Sequence, residues 1–272
     1  MNEARNQIAP NPHRYAVVGS WSAELLPRRP YCATYRPDAP VVGFAFDGQT
    51  GVHAFGSDRK TDFRTRPNSL AFVPAGCDVH STSNQGGEYL RLTFERSRDE
   101  TWSCSRRFSD AIDPLAIDAA ERLRRQLLTI DGPDELQCDR FVEILRERAL
   151  SVLGETFTKP AARFWMTLRR LRRIEDLIEA RLDAKLTVQS LADELALSSG
   201  FFCRAFHAAV GKAPHDYIID RRVSRARMLL RNGALGLSAV AHASGFSSHA
   251  HMTATFRKRL GVAPSELRRL FD

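Results

Sequence analysis

Two hydrophobic periodicities divide the chain. Between residues 15 and 95, short alternating or β-branched runs ("YAVV", "VVGFAFDG", "GVHAFG", "SLAFVPAG", "EYLRLTFE") are separated by Gly, Pro, Asn and Asp clusters. Runs of this length at roughly even spacing predict an antiparallel β sandwich or barrel, in which strand edges are hidden. From about Ala111 the period becomes helical, first with Leu115, Ala119, Leu123 and Leu127, then after "DGPDE" with Leu136, Phe141, Ile144, Leu145 and Val152. Each stripe either covers the β domain or also pairs with a second subunit. Gly154 and Pro160 interrupt the pattern, so an interdomain joint is expected near residues 154–162. Beyond the joint the chain is helical throughout, beginning with "FWMTLRRLRRIEDLIEARL", whose Leu171, Ile174, Leu177 or Ile178, and Leu182 fall on one side.

This helical region builds the same small object twice. Ser198, Phe206, Gly211, Ala213 and Pro214 reappear 50 positions later as Ser248, Phe256, Gly261, Ala263 and Pro264. In the first copy Thr187 caps a helix carrying Val188, Leu191, Ala192 and Leu195; a turn at Ala196 and Leu197 comes next, and Ser198 or Ser199 caps a second helix ending at Gly211. Two short helices joined by a tight turn make a helix-turn-helix unit. Phe202, Ala205 and Phe206 then point inward, leaving Ser199, Gly200, Cys203, Arg204 and His207 on or beside the outward face. The second copy has Leu237, Val240 and Ala241 on its first helix, and "SGF" as its turn, with Gly245 supplying positive φ and Phe246 plugging the core. Ser247 or Ser248 caps the next helix, with Met252, Thr255 and Phe256 inward. His249, Ala250, His251, Thr253 and Ala254 lie outward, followed by Arg257, Lys258 and Arg259. Between the copies, "HDYIIDRRVSRARMLLRN" reads as one helix that fixes their relative rotation. Two recognition helices held about 34 Å apart enter successive major grooves without dimerisation.

Charge agrees with this reading. Residues 160–272 hold 19 Lys+Arg against 10 Asp+Glu, whereas residues 1–159 hold 21 against 22, so the whole excess of +8 arises in the helical region. A local basic excess suits a phosphate backbone or a solvated surface. No apolar run is long enough to span a bilayer, and the N-terminus lacks a signal layout, so a cytoplasmic protein with no membrane partner is expected. Five scattered cysteines (Cys32, Cys77, Cys104, Cys138, Cys203) without a C-x-x-C pair point to reduced thiols.

The blocks Ser198 to Phe206 (S-x-x-x-L-x-R-x-F, with Phe202 at the Leu position), Gly211 to Tyr217, Arg222 to Leu230 and Gly245 to Ser248 strongly resemble the DNA-binding domain of the AraC/XylS transcription regulators. The resemblance covers roughly Leu168 to Leu270. It implies an α+β chain with a cupin-like β-barrel sensor domain over residues 1–110. Dimerisation helices over 111–159 and an all-α DNA-binding domain over 160–272 come after it, with helix-turn-helix units near 188–209 and 236–259. It further implies promoter DNA, RNA polymerase, a small effector and a homodimer as partners, with activation as a usual output and no cofactor. The chain departs from the family pattern at Ala254, where an arginine is frequent, at Met252 and at Leu267. Fewer polar base contacts are therefore expected from the second recognition helix.

The DNA-contact set predicted on this basis is Ser199, Gly200, Cys203, Arg204, His207, Ser248, His249, Ala250, His251, Thr253, Arg257 and Lys258. Arg204 suits bidentate readout of guanine, or else a phosphate contact. His249 and His251 either donate to bases and phosphates or stay solvated, and Arg257 and Lys258 suit phosphates or solvent.

The rival reading is a cupin-type metalloenzyme with a DNA-binding tail; a third is an architectural DNA binder. "NSLAFVPAGCDVHSTSN" resembles the second cupin motif, but His80 stands six after Pro74 instead of five, which turns it to the other strand face, and His53 is isolated. Metal ligation and enzymatic function are therefore not expected. Phe44, Phe46, Phe55, Phe72 and Arg91 are candidates for lining an effector pocket, and Arg64, Arg66 and Arg91 would suit an anion; plain core or surface is the competing reading.

Overall fold

The computed structural model describes residues 14–57, 59–94, 106–154 and 165–269, and the chain divides into two compact units, residues 1–155 and 156–272. Most of the expected joint, the N-terminal segment and Cys104 lie outside the described residues.

In the first unit the strands are β1 (Tyr15–Val18), β2 (Trp21–Leu26), β3 (Tyr31–Tyr35), β4 (Val41–Ala45), β5 (Gln49–Phe55), β6 (Thr61–Thr65), β7 (Ser69–Val73), β8 (Val79–Ser83), β9 (Tyr89–Phe94) and β10 (Phe108–Ala111). They form two antiparallel sheets, ordered β1-β2-β9-β4-β7-β10 and β3-β8-β5-β6. Neither sheet closes on itself, so the described strands make no closed barrel. The edges are blunted by length and shape: β1 and β10 have four residues each, and β10 is irregular at Asp110, whose φ is +66°. Arg66 fixes that irregularity, donating from its Nε to the Asp110 carboxylate at 2.7 Å. Arg66 is thus spoken for as a structural residue.

Alternation explains the two faces of the larger sheet. Ala23, Leu25, Phe44, Leu70, Phe72, Leu90 and Leu92 share one face and are fully buried. Helices α1 (Pro114–Leu127) and α2 (Glu135–Gly154) complete this core with Leu123, Leu127, Val142 and Leu145. Asp113 starts α1 by accepting from the amides of Leu115 and Ala116 at 3.0 and 2.9 Å. Asp139 of α2 accepts the Trp21 indole N–H at 2.8 Å. The helical stripes agree with the sequence pattern except at Leu115 and Leu136, which are 60% and 81% exposed; both sit in first turns, where the stripe has rotated past the sheet.

The opposite face carries Ser22, Glu24, Tyr89, Arg91 and Thr93, with small Gly43, Ala45 and Ala71 beside them. The Tyr89 phenol crosses Gly43 so closely that a Cβ there would lie 1.6 Å from its oxygen. Tyr31 and Tyr35 of the smaller sheet lie near enough to Tyr89, and Tyr35 to Arg91, to shift the ionisation of one another's phenols, so these faces look at each other. Burial raises all three phenol pKa values. Phe55 and Arg91 lie on the facing sides, whereas Phe44 and Phe72 belong to the helix-covered core. Phe46 lies under the Arg124 guanidinium at 4.3 Å.

The second unit is helical: α3 (Leu168–Ala180), α4 (Val188–Asp193), α5 (Ser199–Val210), α6 (Pro214–Arg231), α7 (Leu237–Ala243), α8 (His249–Leu260) and α9 (Pro264–Arg269). Leu171, Ile174 and Ile178 of α3 pack with Leu191, Phe202, Phe206 and Tyr217. The two turns share one hydrogen bond, although the second is one residue longer, with seven steps from Ala241 to Ser248 against six from Ala192 to Ser198. In the first, the Leu197 N–H reaches back to the Ala192 carbonyl at 3.0 Å; in the second, the Phe246 N–H reaches the Ala241 carbonyl at 2.9 Å. This six-to-one bond places the preceding residue in the left-handed region: Ala196 at φ +54° and Gly245 at φ +84°. An L-residue there costs roughly 1–2 kcal/mol. Ala196→Gly is therefore expected to stabilise the full chain by about 1 kcal/mol, read as a higher urea midpoint for the helical unit. No helix among the described residues is long and apolar enough to cross a membrane.

Candidate nucleic-acid interface

Serine caps start both recognition helices. The Ser198 hydroxyl accepts the Phe201 amide at 3.3 Å, and that of Ser248 accepts the His251 amide at 3.1 Å. Each helix ends at a glycine in the left-handed region, Gly211 at φ +76° and Gly261 at φ +78°, and Pro214 and Pro264 open the following helices. The inward faces are as the periodicity predicts: Phe202, Ala205 and Phe206 in α5 and Met252 and Phe256 in α8 are fully buried, with Thr255 half-buried. Ser248→Ala should cost about 1 kcal/mol and fray the turn bearing His249 and Ala250, measurable as faster amide exchange confined to that turn.

The predicted contact residues fall on the outer surfaces of these helices. On α5, Gly200, Arg204 and His207 are exposed, and Ser199 and Cys203 are half-buried. The Ser199 hydroxyl donates to Gln189 of α4, so it braces the two helices of the unit. Ala at position 200 would meet only the tip of Arg204, 3.7 Å away, so the protein interior leaves room for a side chain. Gly200→Ala is therefore expected to leave the fold intact and to raise stability slightly, by less than the roughly 0.5–1 kcal/mol of a mid-helix site because position 200 lies in the first turn.

On α8, Ser248, His249, Ala250, His251, Arg257 and Lys258 are exposed, and Thr253 is half-buried. The His251 Nδ1 pairs with the Ser247 hydroxyl at 3.0 Å, and the His249 Nε2 with the Thr253 hydroxyl at 3.4 Å. Arg259 behaves otherwise than its neighbours. It turns back to Asp216 and Asp220 of α6, so it holds the second unit to the linking helix.

Arg222 of α6 ties the linking helix to the loop between α3 and the first copy. Its Nε and Nη2 donate to the carbonyls of Leu182 and Ala184, each at 3.0 Å, and burial lowers its pKa below the usual arginine value. Gly245 packs into the same spot, where a Cβ would stand 1.8 Å from the Leu182 oxygen. The second copy's turn, the linking helix and the loop before the first copy therefore meet at one point.

The sequence pattern gives no hint of the aromatic group flanking α5. Trp165 lies edge-on to Phe201, with ring centroids 5.2 Å apart, and the Arg170 guanidinium covers Trp165 at 4.0 Å. Thirty-six positions separate the two rings, and no local pattern signals such a contact.

Among the described residues of the first unit, no group of three or more His, Cys, Asp or Glu stands ready to hold a metal. His80 faces outward and pairs with Thr34 at 2.9 Å, while His53 stacks on Phe63 at 4.9 Å. They occupy adjacent ladder positions of β5 and β8, hence opposite faces of the sheet.

Residues 191–270 match the model of a family described as a helix-turn-helix domain. Over 178 residues the chain is 29% identical to a probable transcriptional regulator, LumQ, of Photobacterium leiognathi, covering 65% of this chain and 66% of that one. It is 26% identical over 227 residues to the helix-turn-helix-type transcriptional regulator ExsA of Pseudomonas aeruginosa, covering 78% and 81%. The aligned region thus spans about two thirds of the first relative. Among solved structures, the DNA-binding domain of the global transcriptional factor AdpA in complex with a target DNA is 29% identical, covering 38% of this chain and 92% of that one, with a TM-score of 0.36.

Proposed function

We propose that the chain is a DNA-binding transcription regulator of the AraC/XylS type and that it binds promoter DNA by laying α5 and α8 in successive major grooves. The observation that carries this reading is the pair of capped helices with buried apolar and exposed polar faces, held on one frame by α6. Arg204 reads a guanine edge, Gly200 and Cys203 allow close approach, and His249 and His251 contact bases or phosphates from the weaker second helix. Arg257 and Lys258 meet phosphates. A promoter-binding protein works where the chromosome is, so the protein acts in the cytoplasm.

In this proposal the first unit is a cupin-like sensor. A small effector sits between the two sheets, where the tyrosines and the Glu24–Arg91 ion pair give a half-buried polar lining. Its binding alters homodimer pairing through α1 and α2 and thereby recruitment of RNA polymerase. The metalloenzyme alternative would need His53 and His80 to meet one ion, which their opposite faces oppose; stoichiometric iron, manganese or zinc in the purified full chain would favour it.

The test compares the affinity of the full chain for a selected site and for a scrambled duplex of equal length across a salt series. A specific regulator is expected to keep a ratio on the order of 10³ or more. Equal affinities with a steep shared salt slope would instead mark an architectural binder.

A further inference from the structure

Arg204 is exposed, and its guanidinium folds back over the first turn of α5, 6.0 Å from the centre of the Phe201 ring. Among the described residues this ring is its one interaction partner. Phe201 in turn meets Trp165 edge-on at an interplanar angle of 89°. Trp165 is itself clasped by Arg170, which covers the indole and donates from its Nη1 to the Trp165 carbonyl at 2.8 Å. Four side chains therefore form one stack, from the start of α3 to the outer face of α5.

The second copy offers an internal comparison. Fifty positions after Phe201 stands His251, and it too meets an aromatic edge, that of Phe246, at 5.5 Å and 89°. There the buttress belongs to the unit's own turn, and the position equivalent to Arg204 is Ala254. In the first copy the buttress comes from outside the unit. Trp165 is the first described residue after the segment that joins the two halves of the chain.

We propose that Trp165 is a positioning residue for DNA readout, holding Phe201 so that its ring pre-orients Arg204 over α5. This rests on the reading of Arg204 as a base-contacting residue. An arginine has many rotamers to lose when it docks on a base, and a ring that already confines it lowers that cost at the cognate base alone. The buttress therefore sharpens discrimination at one base pair and leaves the second unit untouched. Because Trp165 stands where the chain enters the helical unit, displacement of that residue would relax reading by the first recognition helix selectively.

The experiment uses the full chain and duplexes varied one base pair at a time. Arg204→Ala first identifies the pair at which discrimination is lost. Trp165→Ala is expected to reduce discrimination at that pair about two- to fivefold, the range of a cation–π contact at an exposed site. Ratios at pairs read through α8 should not change, and Trp165→Phe, which keeps a ring edge, should restore most of the loss. Phe201→Leu, which keeps apolar packing without a ring, should reproduce the loss and serves if Trp165→Ala does not fold. An unchanged ratio, an equal loss at both units, or no recovery with Trp165→Phe would overturn the proposal while leaving the role of Arg204 intact. If Arg204→Ala changes no ratio, the reading of Arg204 falls and this inference with it.

Discussion

Gly245→Ala is expected to be the most damaging single-methyl change in the helical unit. Positive φ at +84° costs an alanine roughly 1–2 kcal/mol. The added Cβ would also stand 1.8 Å from the Leu182 carbonyl oxygen and 2.8 Å from the Arg222 Nε. Backbone cannot yield as a flexible side-chain tip does, so a further loss of about 1–3 kcal/mol is expected from overpacking. The displaced atoms are those of the hydrogen bond from the linking helix to the loop before the first copy, so the seat of the second copy's turn on both is disturbed too. Gly233→Ala is the matched control: its φ is +70°, but nothing lies within 4 Å of an added Cβ. Denaturant midpoints of the two variants should differ by the clash alone. Equal losses would mean that the contact at Leu182 gives way freely.

Arg204→Ala should leave folding unchanged and remove about 1–3 kcal/mol of discrimination at one base pair. The side chain is exposed and its one partner among the described residues is the Phe201 ring, so truncation opens no cavity. A phosphate contact would behave differently: binding would weaken evenly on all sequences, and the salt slope would fall by about 1. Affinity for single-pair duplex variants at two salt concentrations separates these outcomes. Discrimination at pairs read through α8 should persist in the variant.

The helical unit is largely legible in the sequence because its determinants are local. Thr187, Ser198 and Ser248 announce helix starts, Gly211 and Gly261 announce ends, and a 50-residue offset exposes the duplication. Inward positions follow from 3.6-residue periodicity, and Phe202, Phe206, Met252 and Phe256 are buried accordingly. The hidden features depend on partners distant in sequence. Arg259 shares its helix turn with Arg257 and Lys258, and only the nearness of Asp216 and Asp220 turns it inward. Trp165 and Phe201 meet across α3 and α5, a contact that no spacing rule encodes.

In the first unit, strands are legible but their grouping is not. Alternation identifies which residues share a face, yet the division into six and four strands depends on which edges find partners. β10 is four residues long and irregular, with no alternating apolar run to reveal it. For the same reason Phe44 and Phe72, equally apolar in sequence to Phe55, belong to the helix-covered core and not to the space between the sheets.

Selection of duplexes from a random pool by the full chain tests the two-helix reading most directly. The expected product is a pair of short motifs at one fixed spacing, their centres about 10–10.5 base pairs apart. The motif facing α5 should be guanine-dependent and lose that dependence in Arg204→Ala, and the motif facing α8 should be weaker. Enrichment of a single motif, or of two at variable spacing, would contradict a rigid frame that presents both helices to one face of the duplex.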